Sequence, residues 1–315
     1  MIIRDRPSGF RLFLLLRGSV MPRILPTLIV NIVIATLVTL SHGDLFKLKI
    51  TLTTIPFTLI GLPIAIFLGF RNNAAYDRFW EGRKLWGELV LRSRNLSRQC
   101  LTLISDPISA TATAQNGLSD IRVRMIYRAI LFAYALRDLL REQAISPTLR
   151  SFVSDAEWLG LQKAFNKPDF LMRQMGADLA QCLKESRIDA CLAVSLDATF
   201  SAMTAASASC ERIKNTPIPF SYTLLLHRTA YIYCFLLPFG LVDSIGFMTP
   251  FVVAIVAYTF FGLDALGDEI EEPFGLESND LPLDAICRAI EIDLREALQD
   301  TCVPEPLRPV NYCLS

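Results

Sequence analysis

Residues 50–84 read ITLTTIPFTLIGLPIAIFLGFRNNAAYDRFWEGRK, and this stretch decides the fold. Its first 21 residues, which end at Phe70, carry no charge, whereas the next 14 contain three Arg, one Lys, one Asp and one Glu. A helix needs about 20 mostly apolar residues to cross a bilayer. Short segments rich in Arg and Lys stay on the cytoplasmic side. The stretch therefore predicts a membrane helix whose carboxyl end lies in the cytoplasm.

The composition of the whole chain agrees with a membrane protein that has a substantial soluble part. Of its 315 residues, 52% are hydrophobic, and the mean hydropathy is +0.39. The formal net charge is zero, so there is no excess positive charge that would favour nucleic acid as a partner. The charges are nearly absent from four windows, 24–40, 50–70, 222–242 and 244–263. We therefore expect an all-α integral membrane protein with four transmembrane helices and a helical cytosolic region.

The distribution of positive charge predicts the topology. The arm 1–23 holds five Arg and reads as an amphipathic segment at the membrane surface, and a second basic block begins at Arg71. The loop 41–49 and the single residue Asp243 between the third and fourth windows are short and nearly neutral, which places both termini in the cytoplasm. The predicted segments are an N-terminal arm (1–23), two membrane helices (24–70), a cytosolic helical region (71–221), two more membrane helices (222–263), an acidic segment with a helix (264–302) and an extended tail (303–315).

Helical periodicity continues through the predicted cytosolic region. The apolar spacing predicts helices over 120–143, 155–165, 169–184 and 188–215, and residues 105–119 read as a loop. The eight Cys lack the spacing of a zinc site, so we expect reduced thiols, most of them buried.

An enzyme is not expected from this sequence. The chain has only two His, and it contains no nucleophile elbow, P-loop or zinc-protease motif. The carboxylates of 268–272 are typical of a solvated helix end.

Three apolar residues of the second window, Leu62, Ile66 and Phe70, are four residues apart and share one face of a helix. Pro63 lies among them and removes a backbone donor, which predicts a bend. Such a stripe can pack against neighbouring helices, or it can form the wall of a gated pore. The spacing alone favours packing against neighbouring helices.

The run IPFTLIGLPIAIFLGFRNNAAYDRFWEGRKLWG (55–87) resembles the core of the bestrophin family, in its prokaryotic branch. The resemblance extends to IPFSY (218–222), EPFG (272–275) and NDLPLD (279–284). It implies a homopentameric ion channel in the bacterial inner membrane, with one central pore lined by the second helix. It implies chloride conduction as the family activity, since animal members conduct chloride, whereas bacterial members can conduct cations such as Na⁺.

The resemblance also implies site residues. A hydrophobic neck would consist of Leu62, Ile66 and Phe70, with Leu62 where most members have Ile or Phe. A cytosolic aperture would lie at Cys191, with Ile188 and Leu192 as neighbours. The polar residues at the pore mouth would be Arg71, Asn72, Asn73 and Asp77.

Animal bestrophins bind calcium after the fourth membrane helix, at positions that match Glu269, Glu272, Glu277 and Asp280 here. The dense Asp run of the animal site is missing, so Asp280 and Asp284 are predicted to cap and flank the next helix instead, and no cofactor is expected. The expected partners are other copies of the chain, the bilayer and monovalent ions. The alternative is a membrane-anchored scaffold whose cytosolic helices bind another protein.

Overall fold

The structure is a computed structural model, and it describes residues 1–4, 18–41, 44–45, 48–49, 53–106 and 111–315. Within these residues the chain is mostly helical, as predicted. The α-helices among the described residues are α1 (Met21–Leu40), α2 (Thr54–Leu103), α3 (Ile121–Leu140), α4 (Asp155–Lys163), α5 (Lys167–Lys184), α6 (Ala190–Asn215), α7 (Phe220–Ile245), α8 (Thr249–Glu271) and α9 (Leu283–Ala297). Short 3-10 helices lie within the described part of the chain at Ala114–Ser119, Pro147–Phe152 and Gly246–Met248. The loop after α1 also holds two antiparallel two-residue strands, β1 (Asp44–Leu45) and β2 (Leu48–Lys49), which the all-α prediction did not include.

The chain divides into two compact units. The apolar unit comprises Arg4–Phe79 and Pro217–Pro273, and the α3 unit comprises Met1–Ile3, Trp80–Thr216 and Phe274–Ser315. Most of the predicted surface segment in the arm 1–23, and the first three residues of the second window, lie outside the described residues.

The four predicted windows fall on α1, α2, α7 and α8. The predicted turn at Asp243 is wrong, because α7 continues through that residue to Ile245. Gly246 follows with a φ of 51°, a left-handed conformation that glycine adopts without a steric penalty and that commonly ends a helix. The chain then turns through Gly246–Met248 before α8 begins.

Several described helices are long and apolar enough to cross a membrane. They are α1, α2 and the 52-residue stretch Phe220–Glu271, which contains α7 and α8. Helix α6 also qualifies by length and composition, although it is the least apolar of the set and was predicted to be cytosolic. It carries Asp197, Glu211, Arg212 and Lys214, and it packs against α5 in the α3 unit.

Helices α1, α7 and α8 pack together in the apolar unit. One buried cluster joins Ile24 and Leu28 of α1 to Cys234 of α7 and to Ala257 and Phe261 of α8. A second cluster contains Ala35, Phe57, Leu237 and Val253, and so brings α2 onto the same core.

Helix α3 is the centre of the α3 unit, and 16 of its 20 residues are buried. The spacing predicted an amphipathic helix over 120–143, not one that is buried on nearly all sides. Arg122 pairs with the N-cap residue Asp120, while Arg124 and Arg128 both pair with Asp178. The helix is therefore covered on nearly all sides, and ion pairs within the protein satisfy its cations.

The remaining predicted helices are present with small shifts in their ends. Helix α4 ends two residues earlier than predicted, and α6 begins at Ala190 because Asp189 caps it. Helix α5 begins at Lys167 and includes Pro168, because the first turn of a helix tolerates proline.

All eight Cys are free, and five of them are buried, namely Cys100, Cys182, Cys210, Cys234 and Cys287. Burial raises the pKa of Cys182 to about 11 and that of Cys210 to about 12, so both thiols stay protonated at neutral pH.

The tail 303–315 was predicted to be extended, but its end folds into a tight turn. Asn311 and Tyr312 have φ values of 53° and 68°, and Val310 pairs with Cys313 across them. Cys313 also forms a bridge with Ile2, and the Leu314 amide donates to the Met1 carbonyl. The two ends of the chain are therefore hydrogen-bonded to each other.

Asp284, in the first turn of α9, joins that helix to α3. Its two carboxylate oxygens accept hydrogen bonds from Arg137 at 2.8 Å and from Arg141 at 2.7 Å. Burial alone would raise the pKa of Asp284, but Arg141 and Arg137 outweigh it and hold this pKa below its ordinary value.

We expect Asp284→Asn to destabilise the protein by about 2 kcal/mol, because two arginines, whose side chains are 14% and 4% exposed, lose their shared carboxylate. In the wild type, this contribution is fully present above the unfolded pKa of about 3.9 and is lost as the pH falls through the lower folded pKa. Thermal unfolding of the wild type and of Asp284→Asn between pH 3 and pH 7 measures this contribution of Asp284 to stability. Asp293→Asn is the matched control, because its partner Arg94 is 62% exposed and such a surface pair contributes about 1 kcal/mol at most. Equal midpoints for the Asp284 variant and the wild type at pH 7 would contradict the prediction.

Candidate functional site

The three residues of the predicted neck lie on an exposed stripe of α2. Leu62, Ile66 and Phe70 are 66%, 47% and 60% exposed in the single chain. The same stripe continues one helical turn at a time through Asn73 and Asp77, which are also exposed. An apolar stripe thus ends in two polar side chains.

The opposite side of α2 holds the helix in the apolar unit. Ile64, Leu68 and Ala75 are at most 5% exposed there, and Ile64 and Leu68 pack against Leu226 and Ala230 of α7. Helical spacing at 100° per residue places this buried face about half a turn away from the stripe. Within the described residues, the stripe is therefore separate from the face of α2 that packs against α7.

The Phe70 ring meets the Phe67 ring edge-to-face, with centroids 6.2 Å apart and an interplanar angle of 83°. Phe67 in turn contacts Tyr222 of α7, whose hydroxyl donates to the Phe67 carbonyl at 3.2 Å. The orientation of Phe70 is thus linked to α7 through a second aromatic ring.

Arg71, predicted to be a polar residue of the pore mouth, is instead completely buried. Its guanidinium donates to the Asp264 carboxylate at 2.8 Å and to the Asp268 carboxylate, and it lies 3.6 Å from Glu271. Isolated charges are costly to bury, so three acidic side chains gather around this cation. Arg71 therefore anchors α2 to α8 and does not present its charge on the exposed stripe.

His227 completes this cluster from α7. Its Nδ1 lies 2.6 Å from the Asp264 carboxylate, on the oxygen that Arg71 does not use. The imidazole stacks on Tyr231 with a centroid distance of 4.1 Å. The polar interruption at His227 in the third window thus faces the protein. Sequence reasoning did not identify the partners of His227, and the available signal was that His227 and Arg228 interrupt an otherwise uncharged window.

Two neighbours of Arg71 also bind the backbone of α8. The Asn72 amide donates to the Leu263 carbonyl at 3.0 Å, and Arg78 Nε donates to the Glu271 carbonyl at 3.0 Å. Of the four predicted pore-mouth residues, only Asn73 and Asp77 are exposed.

Gly267 allows the close approach of α8 to this region. A Cβ at this position would lie 2.5 Å from Asn72 Oδ1 and 3.5 Å from the Arg71 guanidinium. We expect Gly267→Ala to displace Asn72 and lower the thermal midpoint, at a cost of about 1–3 kcal/mol from overpacking. Gly262→Ala in the same helix is the control, since its nearest neighbour would be 4.0 Å away. Equal midpoints for the two variants would show that the absence of a Cβ at Gly267 is not needed for the packing of α8 against Asn72.

The predicted aperture residues differ in exposure. Cys191 and Leu192 are exposed in the first turn of α6, whereas Ile188 is only 6% exposed. Ile188 is covered by its own chain and does not offer a surface to a pore. The N–H of Cys191 is held by the N-cap carboxylate of Asp189 at 2.8 Å.

The weak calcium candidates do not form a ligand cluster among the described residues, which contain no group of three His, Cys, Asp or Glu side chains suited to a metal ion. The Asp280 carboxylate accepts the Glu277 N–H at 2.7 Å. It therefore closes a turn and does not cap α9, whose N-cap is Pro282. The predicted cap is wrong, while Asp284 does lie in the first turn of α9.

Long apolar helices, one of them with an exposed apolar stripe and a buried ionic cluster at its polar end, define an integral membrane protein. Residues 1–296 match the family model described as "Bacterial/Fungal Bestrophin protein". The chain belongs to the bestrophin family, as the sequence resemblance indicated.

Relatives with established names agree over almost the whole chain. A "Voltage-dependent anion channel-forming protein" of Mesorhizobium japonicum is 44% identical over 95% of this chain and 92% of its own length. A protein of the same name from Salmonella typhi is 41% identical over 96% of each chain. A crystal structure of a bacterial bestrophin homologue from Klebsiella pneumoniae superposes with a TM-score of 0.79 at 33% identity, and covers 88% of this chain and 99% of that one.

Proposed function

We propose that this chain is the subunit of a bestrophin-like channel that passes small monovalent anions passively across the bacterial inner membrane. The observation that carries the proposal is the apolar stripe Leu62–Ile66–Phe70, which is exposed on the face of α2 opposite to its packed face. An exposed stripe on a membrane helix can face lipid, but this one runs into Asn73 and Asp77, which suit water better than lipid. The names of the relatives support an anion as the permeant ion.

In the proposed assembly, five copies place this stripe around one axis. A narrow apolar constriction excludes water and closes by dewetting, and a modest widening lets water and ions enter. No chemical step is involved, and the ion gradient drives the flux.

Cation selectivity is a second candidate, and a specific observation favours it. The charge of Arg71 is neutralised by acidic side chains, so the exposed polar end of the stripe carries Asp77 without the opposing cation that the sequence predicted. A carboxylate ring attracts cations. Measurement of the reversal potential under a NaCl gradient separates the candidates, because it follows the chloride equilibrium potential for an anion channel and the sodium potential for a cation channel. A potential that follows neither ion would overturn the channel proposal.

We assign α1, the start of α2, α7 and α8 as the membrane helices, and the α3 unit with α6 as cytosolic. The hydrogen bonds between residues 1–3 and 310–315 support two termini on the same side of the membrane. This agrees with the positive charge of the arm, which favours the cytoplasm.

A cytosolic aperture at Cys191 and Leu192 would be a second constriction. The exposed thiol offers a direct test, in which a charged methanethiosulfonate reagent added on the cytosolic side reduces the current through the wild type but not through Cys191→Ser. Cys302 and Cys313 are retained in both proteins, so block that persists in the variant would place the aperture elsewhere.

The oligomeric state is the most decisive measurement for the pore. Since the stripe can form a pore only if several copies share an axis, we expect the mass of five subunits in mild detergent by light scattering or native mass spectrometry. A monomer that nevertheless sits in the membrane would favour the scaffold alternative, especially if reconstituted vesicles show no ion flux.

A further inference from the structure

We propose that the buried cluster of Arg71, Asp264 and His227 positions the cytoplasmic end of the neck, and that protonation of His227 tightens this hold and lowers conduction. The inference rests on the proposed channel function and adds a regulation of the same pore. Arg71 directly follows Phe70 in α2, so a contact that holds Arg71 in place also restrains the backbone at Phe70.

The cluster joins three helices through one carboxylate. Asp264 of α8 accepts from Arg71 of α2 at 2.8 Å on one oxygen and contacts His227 of α7 at 2.6 Å on the other. The Asp264 side chain is 4% exposed and that of Arg71 is 0% exposed, so solvent screens their interaction weakly. A movement of α2 that displaced Phe70 outward would have to break these contacts, or else Asp264 and His227 would have to move with α2.

His227 is suited to control this hold, because histidine is the side chain that normally changes charge between pH 5 and pH 8. Its side chain is 44% exposed in the single chain, so its own subunit does not enclose the ring. When neutral, the ring offers Asp264 an ordinary hydrogen bond, and when protonated it offers a charge-assisted bond that is roughly twice as strong.

The surrounding charges also favour a stronger bond between Asp264 and His227 when His227 is protonated. The groups that face the cluster are Arg23 of α1, Arg71 of α2, Tyr231 of α7, and Asp264, Asp268 and Glu271 of α8. Two permanent cations thus face three carboxylates, so a proton on His227 removes the remaining negative charge. Arg71 and His227 use different oxygens of Asp264, which means that protonation adds one bond without displacing the other.

Phe70 connects this hold to the pore. Its ring packs edge-to-face on Phe67, which is bound to α7 through Tyr222, one and a half turns before His227. Helix α7 therefore contacts α2 on both sides of the Phe70 backbone, directly at Phe67 and through Asp264 at Arg71. Tighter contacts keep Phe70 in the constriction and oppose the widening that admits water.

The test compares ion flux from vesicles at pH values from 5.5 to 8, equal on both sides, for three proteins. These are the wild type, His227→Asn and His42→Asn. An Asn amide can place an N–H where Nδ1 lies but cannot gain a proton, and His42 is the only other histidine of the chain. We expect acidification to lower the flux of the wild type and of the His42 variant about fivefold, from the stronger charge-assisted bond. The flux of His227→Asn should stay at its pH 8 level throughout.

A His227 variant that keeps the wild-type pH response would overturn the inference, as would a wild-type flux that does not fall on acidification. If His227→Asn does not fold, His227→Gln provides the same comparison, because its amide also cannot gain a proton. Absence of flux from the folded wild type at every pH would instead overturn the proposed function.

Discussion

Replacing Leu62, Ile66 and Phe70 together by Ala should increase ion flux through reconstituted vesicles about tenfold or more, which corresponds to a barrier lowered by about 1.4 kcal/mol. In the proposed fivefold ring the change truncates fifteen large apolar side chains in the proposed neck. A wider constriction holds water more readily, so the cost of entry for an ion falls. Because the three side chains are exposed in the single chain, their removal leaves the core of the apolar unit unchanged.

The matched control is a triple substitution to Ala at Leu225, Ile232 and Leu236. These residues are 62%, 58% and 44% exposed, and they form a comparable apolar stripe on α7. Their truncation should leave the flux at the wild-type level if they face lipid or a neighbouring subunit. Equal flux from the wild type and the neck variant, with both proteins correctly assembled, would exclude this stripe as the constriction.

Features that depend on composition over many residues could be predicted from the sequence. The four apolar windows were placed correctly on α1, α2, α7 and α8, because the exclusion of charge from a membrane helix leaves a long and strong signal. The stripe at Leu62, Ile66 and Phe70 could be predicted because helical spacing alone decides which residues share a face. Its role as a pore neck stays a prediction.

Features that depend on distant pairs could not be predicted. Arg71 was interpreted as a cation of the pore mouth, since its carboxylate partner Asp264 lies 193 residues away in the chain. Arg128 of α3 pairs with Glu157 and Asp178, which lie 29 and 50 residues away in the chain, so no local spacing indicated these partners. A single sequence gives the position of each charged residue but not its partner. An interpretation based on one sequence therefore overestimates how many charged side chains face water.

Arg71→Met should cause the largest loss of stability among single substitutions in the apolar unit. The change leaves Asp264, which is 4% exposed, and Glu271, which is 13% exposed, without their central cation. Removal of one partner of a buried ion pair typically costs about 3–5 kcal/mol, because the remaining charge stays buried and uncompensated. We expect the thermal midpoint in detergent to fall by roughly 5–10 °C or more.

The double variant Arg71→Met with Asp264→Asn distinguishes this cause from a loss of packing. If the penalty comes from the uncompensated carboxylate, neutralisation of Asp264 should restore a large part of the midpoint, and the two substitutions will not be additive. Arg228→Met serves as the control, because Arg228 is an exposed cation next to His227 and its removal should leave the midpoint nearly unchanged. Additive effects of the two substitutions would mean that Arg71 stabilises α2 through its aliphatic stem alone. In that case, the ionic cluster would not fix the position of Phe70, and the neck would be held only by the packing of Ile64 and Leu68 on α7.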